Sequence, residues 1–111
     1  MIVEHALLPV RPDATAAFET AFAQAYPIIA AMPGFGGLSL TRCVERPQCY
    51  LLLVRWERLT DHTVGFRQAP EYQRWRALLH HFYEPFPVVE HFTPVLGTDL
   101  FGAAAAAIAD K

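Results

Sequence analysis

The stretch CYLLLVRWE, residues 49–57, decides the fold. Tyr50, Leu52, Val54 and Trp56 alternate with Leu51 and Leu53, so a strand built from it is apolar on both faces. Such a strand belongs in the centre of a sheet, with something covering each side. Just before it, GLSLTRCVE (37–45) has the same strand character, and Arg46-Pro47-Gln48 supplies a tight turn. The two therefore form a hairpin. With Val44 opposite Cys49, strand alternation sets Cys43 and Cys49 on opposite faces, which does not favour a bridge. Two such cysteines read as reduced thiols of a cytoplasmic protein.

Working outward, MIVEHALLPV (1–10) is an apolar stretch of strand length, closed by Pro9 and Pro12. DATAAFETAFAQAYPIIAAM (13–32) places Phe18, Phe22, Ala25 and Ile29 on one helical stripe. Asp13 is its expected N-cap, and Pro27 is expected to kink or restart its last turns. PGFGG (33–37) is a loop. After the hairpin, LTDHTVGFRQ (59–68) starts a short helix, with Thr60 as N-cap and Leu59 and Val64 as hydrophobic staple. A further helix begins at Ala69-Pro70 and carries Tyr72, Trp75, Leu79 and Phe82 as its stripe. PVVEHFTPV (87–95) is the last strand, and the Ala-rich tail after Thr98 reads as helical.

The order is β-α-β-β-α-β, an α+β, ferredoxin-like unit over residues 1–96 with a tail at 97–111. A ferredoxin-like sheet carries both helices on one face. Because these strands are apolar on both faces, the other face is expected to meet a second copy, in a homodimer with sheets face to face or closed into a shared barrel. Hydrophobic residues make up 53% of the chain and charged residues 18%, which exceeds what one small domain hides and supports an oligomer face or a lined pocket. The net charge of −2, with no basic stripe, gives no electrostatic basis for binding nucleic acid. No basic start followed by an apolar run and no 18-residue apolar stretch is present, so neither a signal peptide nor a membrane span is expected.

PGF opening the second strand, a Trp closing the third (VRWERL), and FRQAPEYQRWRALL in the following helix resemble the antibiotic biosynthesis monooxygenase family of dimeric α+β barrels. The resemblance covers about residues 1–95 and is specific to the fold more than to the chemistry. It implies a cofactor-independent monooxygenase acting on a small aromatic, phenolic or quinol substrate, in a pocket between sheet and helices. The same barrel also serves non-catalytic dimers that bind a hydrophobic small molecule, and the family's frequent His is replaced here by Phe66, in a segment one residue longer. Haem-degrading members use an Asn, a Trp and a His. The corresponding positions here are His5, Gly65 and Trp75, so haem degradation is not expected.

Chemistry of this type needs a group to take a proton, a way to steady the resulting anion, and walls that hold the ring away from water. Val-Glu-His occurs twice, at 3–5 and 89–91, on strands that pair. His5 and His91 are candidate acid/base residues if an even register sum sets both on the pocket side. An odd sum sets His5 beside Glu90, and two half-buried strand imidazoles are the plain alternative. Arg67 is the candidate anion partner, with Arg76 a second flanking cation. Trp56, Phe66, Tyr72 and Trp75 are candidate ring-packing walls, or else core. His62 in the first turn of a helix is a candidate pocket residue or a surface one, and His80-His81 complements the end of a helix dipole. No HxH, HxxxH or two-His-plus-carboxylate spacing supports a metal.

Overall fold

The hairpin lies at one side of a four-stranded antiparallel sheet, whose strands stand in the spatial order second, third, first and fourth of the sequence. In this computed structural model, which describes residues 1–98, the strands are β1 (Ile2–Pro9), β2 (Phe35–Arg42), β3 (Cys49–Trp56) and β4 (Val89–Phe92). The helices are α1 (Thr15–Ala30) and α2 (Pro70–Leu79). Short 3-10 turns cover Pro12–Ala14 and His80–Phe82, and a π-helix covers Asp61–Phe66. The fold is the expected ferredoxin-like α+β unit. The Ala-rich helix expected after Thr98 lies outside the described residues.

Strand alternation builds the core. Ala6 and Leu8 of β1 and Tyr50, Leu52, Val54 and Trp56 of β3 point to the helices and are each 4% exposed or less. Against them pack Phe18, Phe22, Ala25 and Ile29 of α1 and Trp75 and Leu79 of α2. Burying a large apolar side chain of this kind contributes about 1.5–3 kcal/mol. Phe18, fully buried, meets the rings of Phe22, Tyr50, Phe82 and Tyr83 with centroids 4.9–5.9 Å apart, at the tilted and edge-on angles aromatic pairs favour. The opposite face carries Val3, His5 and Leu7 beside Leu53 and Leu51, half-buried or exposed.

Local expectations differ from the structure at four places. Asp13 sits within the 3-10 turn and makes no capping bond to α1, whose N-cap is Ala14. Pro27, on the exposed side of α1, is carried inside the helix, which runs on to Ala30. Thr60 makes no side-chain cap, and Leu59 and Val64 are 44% and 47% exposed, so no staple forms. Asp61 instead accepts from the Arg58 N–H, 2.9 Å away. The hairpin pairs Arg42 with Tyr50, and the Cys43 N–H donates to the Cys49 carbonyl at 2.8 Å, so Cys43 rather than Val44 stands opposite Cys49. Both thiols are free.

Candidate active site

The repeated Val-Glu-His is resolved by register. β1 and β4 pair Glu4 with His91 and His5 with Glu90, an odd sum. Glu4 and His91 therefore face the helices, while His5 turns to the open face of the sheet. On that face it meets the Phe92 ring edge-on at 5.4 Å, and its Nδ1 is buried without a partner among the described residues. Of the two registers the sequence leaves open, the structure has the odd one, and His5 and His91 lie on opposite sides of the sheet.

What Glu4 meets is His62. Glu4 is a carboxylate on an otherwise apolar stripe and is only 6% exposed. Its Oε1 accepts a hydrogen bond from the Trp56 indole N–H at 2.9 Å and lies 3.3 Å from His62 Nε2. The other nitrogen of that ring, His62 Nδ1, lies 2.8 Å from His91 Nε2. His62 is 4% exposed and stacks on the Trp56 indole, with centroids 5.6 Å apart and ring planes 18° from parallel. The result is a line, Trp56–Glu4–His62–His91, linking the third, first and last strands through the π-helix. In that helix the Arg67 N–H reaches back to the His62 carbonyl, a five-residue step that takes up one extra residue. His62 and Phe66, four apart, share its inward face.

Burial sets the proton affinities. Desolvation pushes the Glu4 carboxyl up to about 6, against the Trp56 hydrogen bond and the nearby Arg67 charge, which both favour the carboxylate. Burial pulls His62 down to about 3, helped by the charge of Arg67 and by His91. His91 is also lowered, by burial and then Arg67. At neutral pH the group is therefore a carboxylate with two uncharged imidazoles, and the His62–Glu4 contact is a hydrogen bond from a neutral ring rather than an ion pair. Glu4 and His91 meet opposite nitrogens of His62, so no single ion can take all three as ligands. No group of three or more metal-binding side chains occurs among the described residues.

Beside this line opens a cavity of about 210 Å³ between the sheet and the helices. Glu4 and His62 stand in its wall with Phe66, Tyr72, Trp75 and Tyr83, and Arg67 and Phe86 bring it towards the surface. Phe66, Tyr72 and Trp75 form one aromatic cluster with edge-to-face contacts at 5.2 and 5.6 Å. The structure brings these three residues together at one wall of the cavity. Trp56, fully buried, stands behind the wall and acts on it through Glu4 and His62. His80 also lines the cavity, and burial together with Arg76 lowers its proton affinity, so it does not serve as the expected helix-end cation. Glu4, Tyr83 and His80 were missed in the sequence; a lone acid among Ile2, Ala6 and Leu8 is the signal that marks Glu4.

The profile of the antibiotic biosynthesis monooxygenases matches residues 1–78. The chain belongs to the antibiotic biosynthesis monooxygenase family. Bacillus subtilis YczJ, an uncharacterized protein, is 54% identical over 95 residues, covering 86% of this chain and all of that one. A Bordetella bronchiseptica crystal structure assigned to the same family is 40% identical, with a TM-score of 0.82 over 86% of this chain and 97% of that one. The Streptomyces coelicolor monooxygenase from the gene ActVA-Orf6, solved with the ligand nanaomycin D, shares the fold at 21% identity, with a TM-score of 0.74 over 87% and 89% of the two chains. Among the described residues, no helix of this family member is long and apolar enough to cross a membrane.

Proposed function

We propose that this protein is a cofactor-independent monooxygenase of the cytoplasm, acting on a small phenolic or quinol substrate. The observation that carries the reading is an aromatic cavity with a buried carboxylate–imidazole line in its wall and Arg67 beside it. Phe66, Tyr72 and Trp75 hold the ring. Arg67 steadies the phenolate, and the group around His62 and His91 handles the proton. The phenolate gives one electron to dioxygen, and the substrate radical and superoxide join through a new C–O bond. The peroxide takes back the proton removed from the phenol, and its outer oxygen leaves as water with that proton and the ring hydrogen, which leaves a carbonyl, so the substrate gains one oxygen and loses two hydrogens.

His5, facing away from this cavity, belongs to a second part of the proposal. The open face presents Leu7 and Phe92, 45% and 51% exposed, beside Val3, Leu51 and Leu53. A second copy covering that apolar face would form the homodimer and meet the unpartnered His5 Nδ1.

Oxygen uptake with a panel of single-ring phenols and hydroquinones tests the activity, with labelled dioxygen tracing the new oxygen into product. Catalysed uptake is expected, reduced by Arg67→Ala. Ligand binding without uptake would refute the oxygenase reading and leave a binding protein.

A further inference from the structure

We propose that Glu4 is the acid–base group of the cavity, and that its proton is exchanged with solvent along His62 and His91. The geometry is that of a relay. Glu4 and His62 are 6% and 4% exposed, whereas His91 is half-buried on β4, at the edge of the sheet. His62 engages one neighbour with each ring nitrogen, inward to Glu4 and outward to His91. The 3.3 Å inner contact is the longer link, of the kind that tightens when a ligand closes the site.

Two hydrogen-bond polarities fit these distances, and each corresponds to one state of Glu4. With the carboxylate ionised, the His91 Nε2–H donates to His62 Nδ1 and the His62 Nε2–H donates to Glu4. Uptake of a proton inverts the chain. Water protonates His91 Nδ1, the His91 Nε2 proton passes to His62 Nδ1, and the His62 Nε2 proton passes to Glu4 Oε1. One proton enters, both imidazoles end neutral in the other tautomer, and no electron moves. Release is the reverse. A carboxylate formed this way can then accept the proton of a bound phenol, the one step that rests on the proposed function.

The groups facing Glu4 support the assignment. The Trp56 N–H from β3 and the Arg67 charge after the π-helix favour the carboxylate, while burial favours the acid. Tyr83, from the segment after α2, is pushed upward by burial and by Glu4, so its hydroxyl keeps its proton. Burial and the Arg67 charge disfavour the imidazolium form of both His62 and His91. Glu4 is thus the member of the line that changes charge near neutrality.

The experiment is nitrogen-15 NMR of the imidazoles of the full chain from about pH 4 to about pH 8, with no substrate present. The His62 proton is expected to move from Nε2 to Nδ1 as pH falls through about 6, without imidazolium forming. Glu4→Gln removes that midpoint. His91→Gln preserves a partner for His62 but cannot pass a proton on readily, so it keeps the switch and slows its exchange about tenfold or more. One fixed His62 tautomer throughout, a His62 imidazolium near the ordinary histidine value, or unchanged exchange in His91→Gln would overturn the relay. His91 is half-exposed, so that variant tests the relay even if Glu4→Gln does not fold. An intact switch without oxygen uptake would sink the proposed function alone.

Discussion

Replacing Glu4 with Gln should make the protein more stable at neutral pH relative to acid pH, by an amount set by the buried carboxylate. Its carboxyl rises from 4.5 to about 6 on folding. The folded state therefore prefers the protonated form, and the sign follows. Below the unfolded value both states hold the proton and there is no penalty; as pH rises through the folded value the penalty grows to its full size. A rise from 4.5 to about 6 corresponds to about 2 kcal/mol. Gln keeps a carbonyl for the Trp56 N–H but carries no charge. The stability of Glu4→Gln minus that of the wild type should thus rise by about 2 kcal/mol between about pH 4 and about pH 8, with most of the change between 4.5 and about 6. His80, whose lowered proton affinity comes from burial and Arg76, titrates in both proteins and cancels in the difference. Urea unfolding followed by tryptophan fluorescence suits the assay, since both tryptophans are buried. Protein concentration must be fixed in case unfolding is linked to dissociation. A flat difference, or one that falls with pH, would show that the protein does not disfavour the ionised carboxylate.

Other consequences follow from the same geometry. His62, lowered from 6.5 to about 3, contributes stability that is present above 6.5 and lost as pH falls towards about 3. His62→Gln should accordingly have a shallower loss of melting temperature over that window than the wild type. Trp56→Phe removes the indole donor from Glu4 and leaves part of its volume empty, for a cost of about 2–3 kcal/mol in chemical denaturation. The carboxyl should also titrate higher still, because the Trp56 bond favours its ionised form. Gly34 adopts φ 85°, and a Cβ there would overlap the Asp61 carboxylate. Gly34→Ala should destabilise by about 1–3 kcal/mol in the same assay and disturb the start of the π-helix that carries His62.

The fold was legible because two periods run cleanly through the sequence. Phe18, Phe22, Ala25 and Ile29 mark the buried side of α1, and Trp75, Leu79 and Phe82 that of α2 and the turn after it. Alternation in β3 placed a central strand where the structure has one. The hairpin register was not legible to the residue, because Val44 and Cys43 both suit a partner for Cys49 and the turn decides between them. The backbone pairing of Cys43 with Cys49 leaves a five-residue loop, residues 44–48, and the Cys49 N–H after it returns to the Arg46 carbonyl at 2.8 Å. Capping residues do not fix the helix starts here for a related reason. Asp13 and Thr60 are good capping residues, yet the chain enters both helices through tighter or wider turns that do not present their side chains to free N–H groups.

The site turned on a parity that local sequence does not encode. Both copies of Val-Glu-His alternate equally well in either register, and both faces of β1 are apolar enough to be inner. Contacts before β4 make the choice. The Arg11 N–H donates to the Phe82 carbonyl at 3.2 Å, the Glu84 N–H donates to the Pro9 carbonyl at 2.8 Å, and Val10 bridges Tyr83. From there to the Val89–Ala6 pair the chain uses six steps on one side against four on the other. An excess of two residues preserves parity, so Val89 and His91 return to the face that already holds Tyr83. An excess of one would have turned His91 outward to the side of His5 and brought Glu90 inward beside Glu4, with no outer imidazole for His62. The relay geometry therefore depends on the spacing of Pro85-Phe86-Pro87 as much as on its own side chains. That is why the histidines alone mark the middle and outer members of the line and not the carboxylate at its inner end.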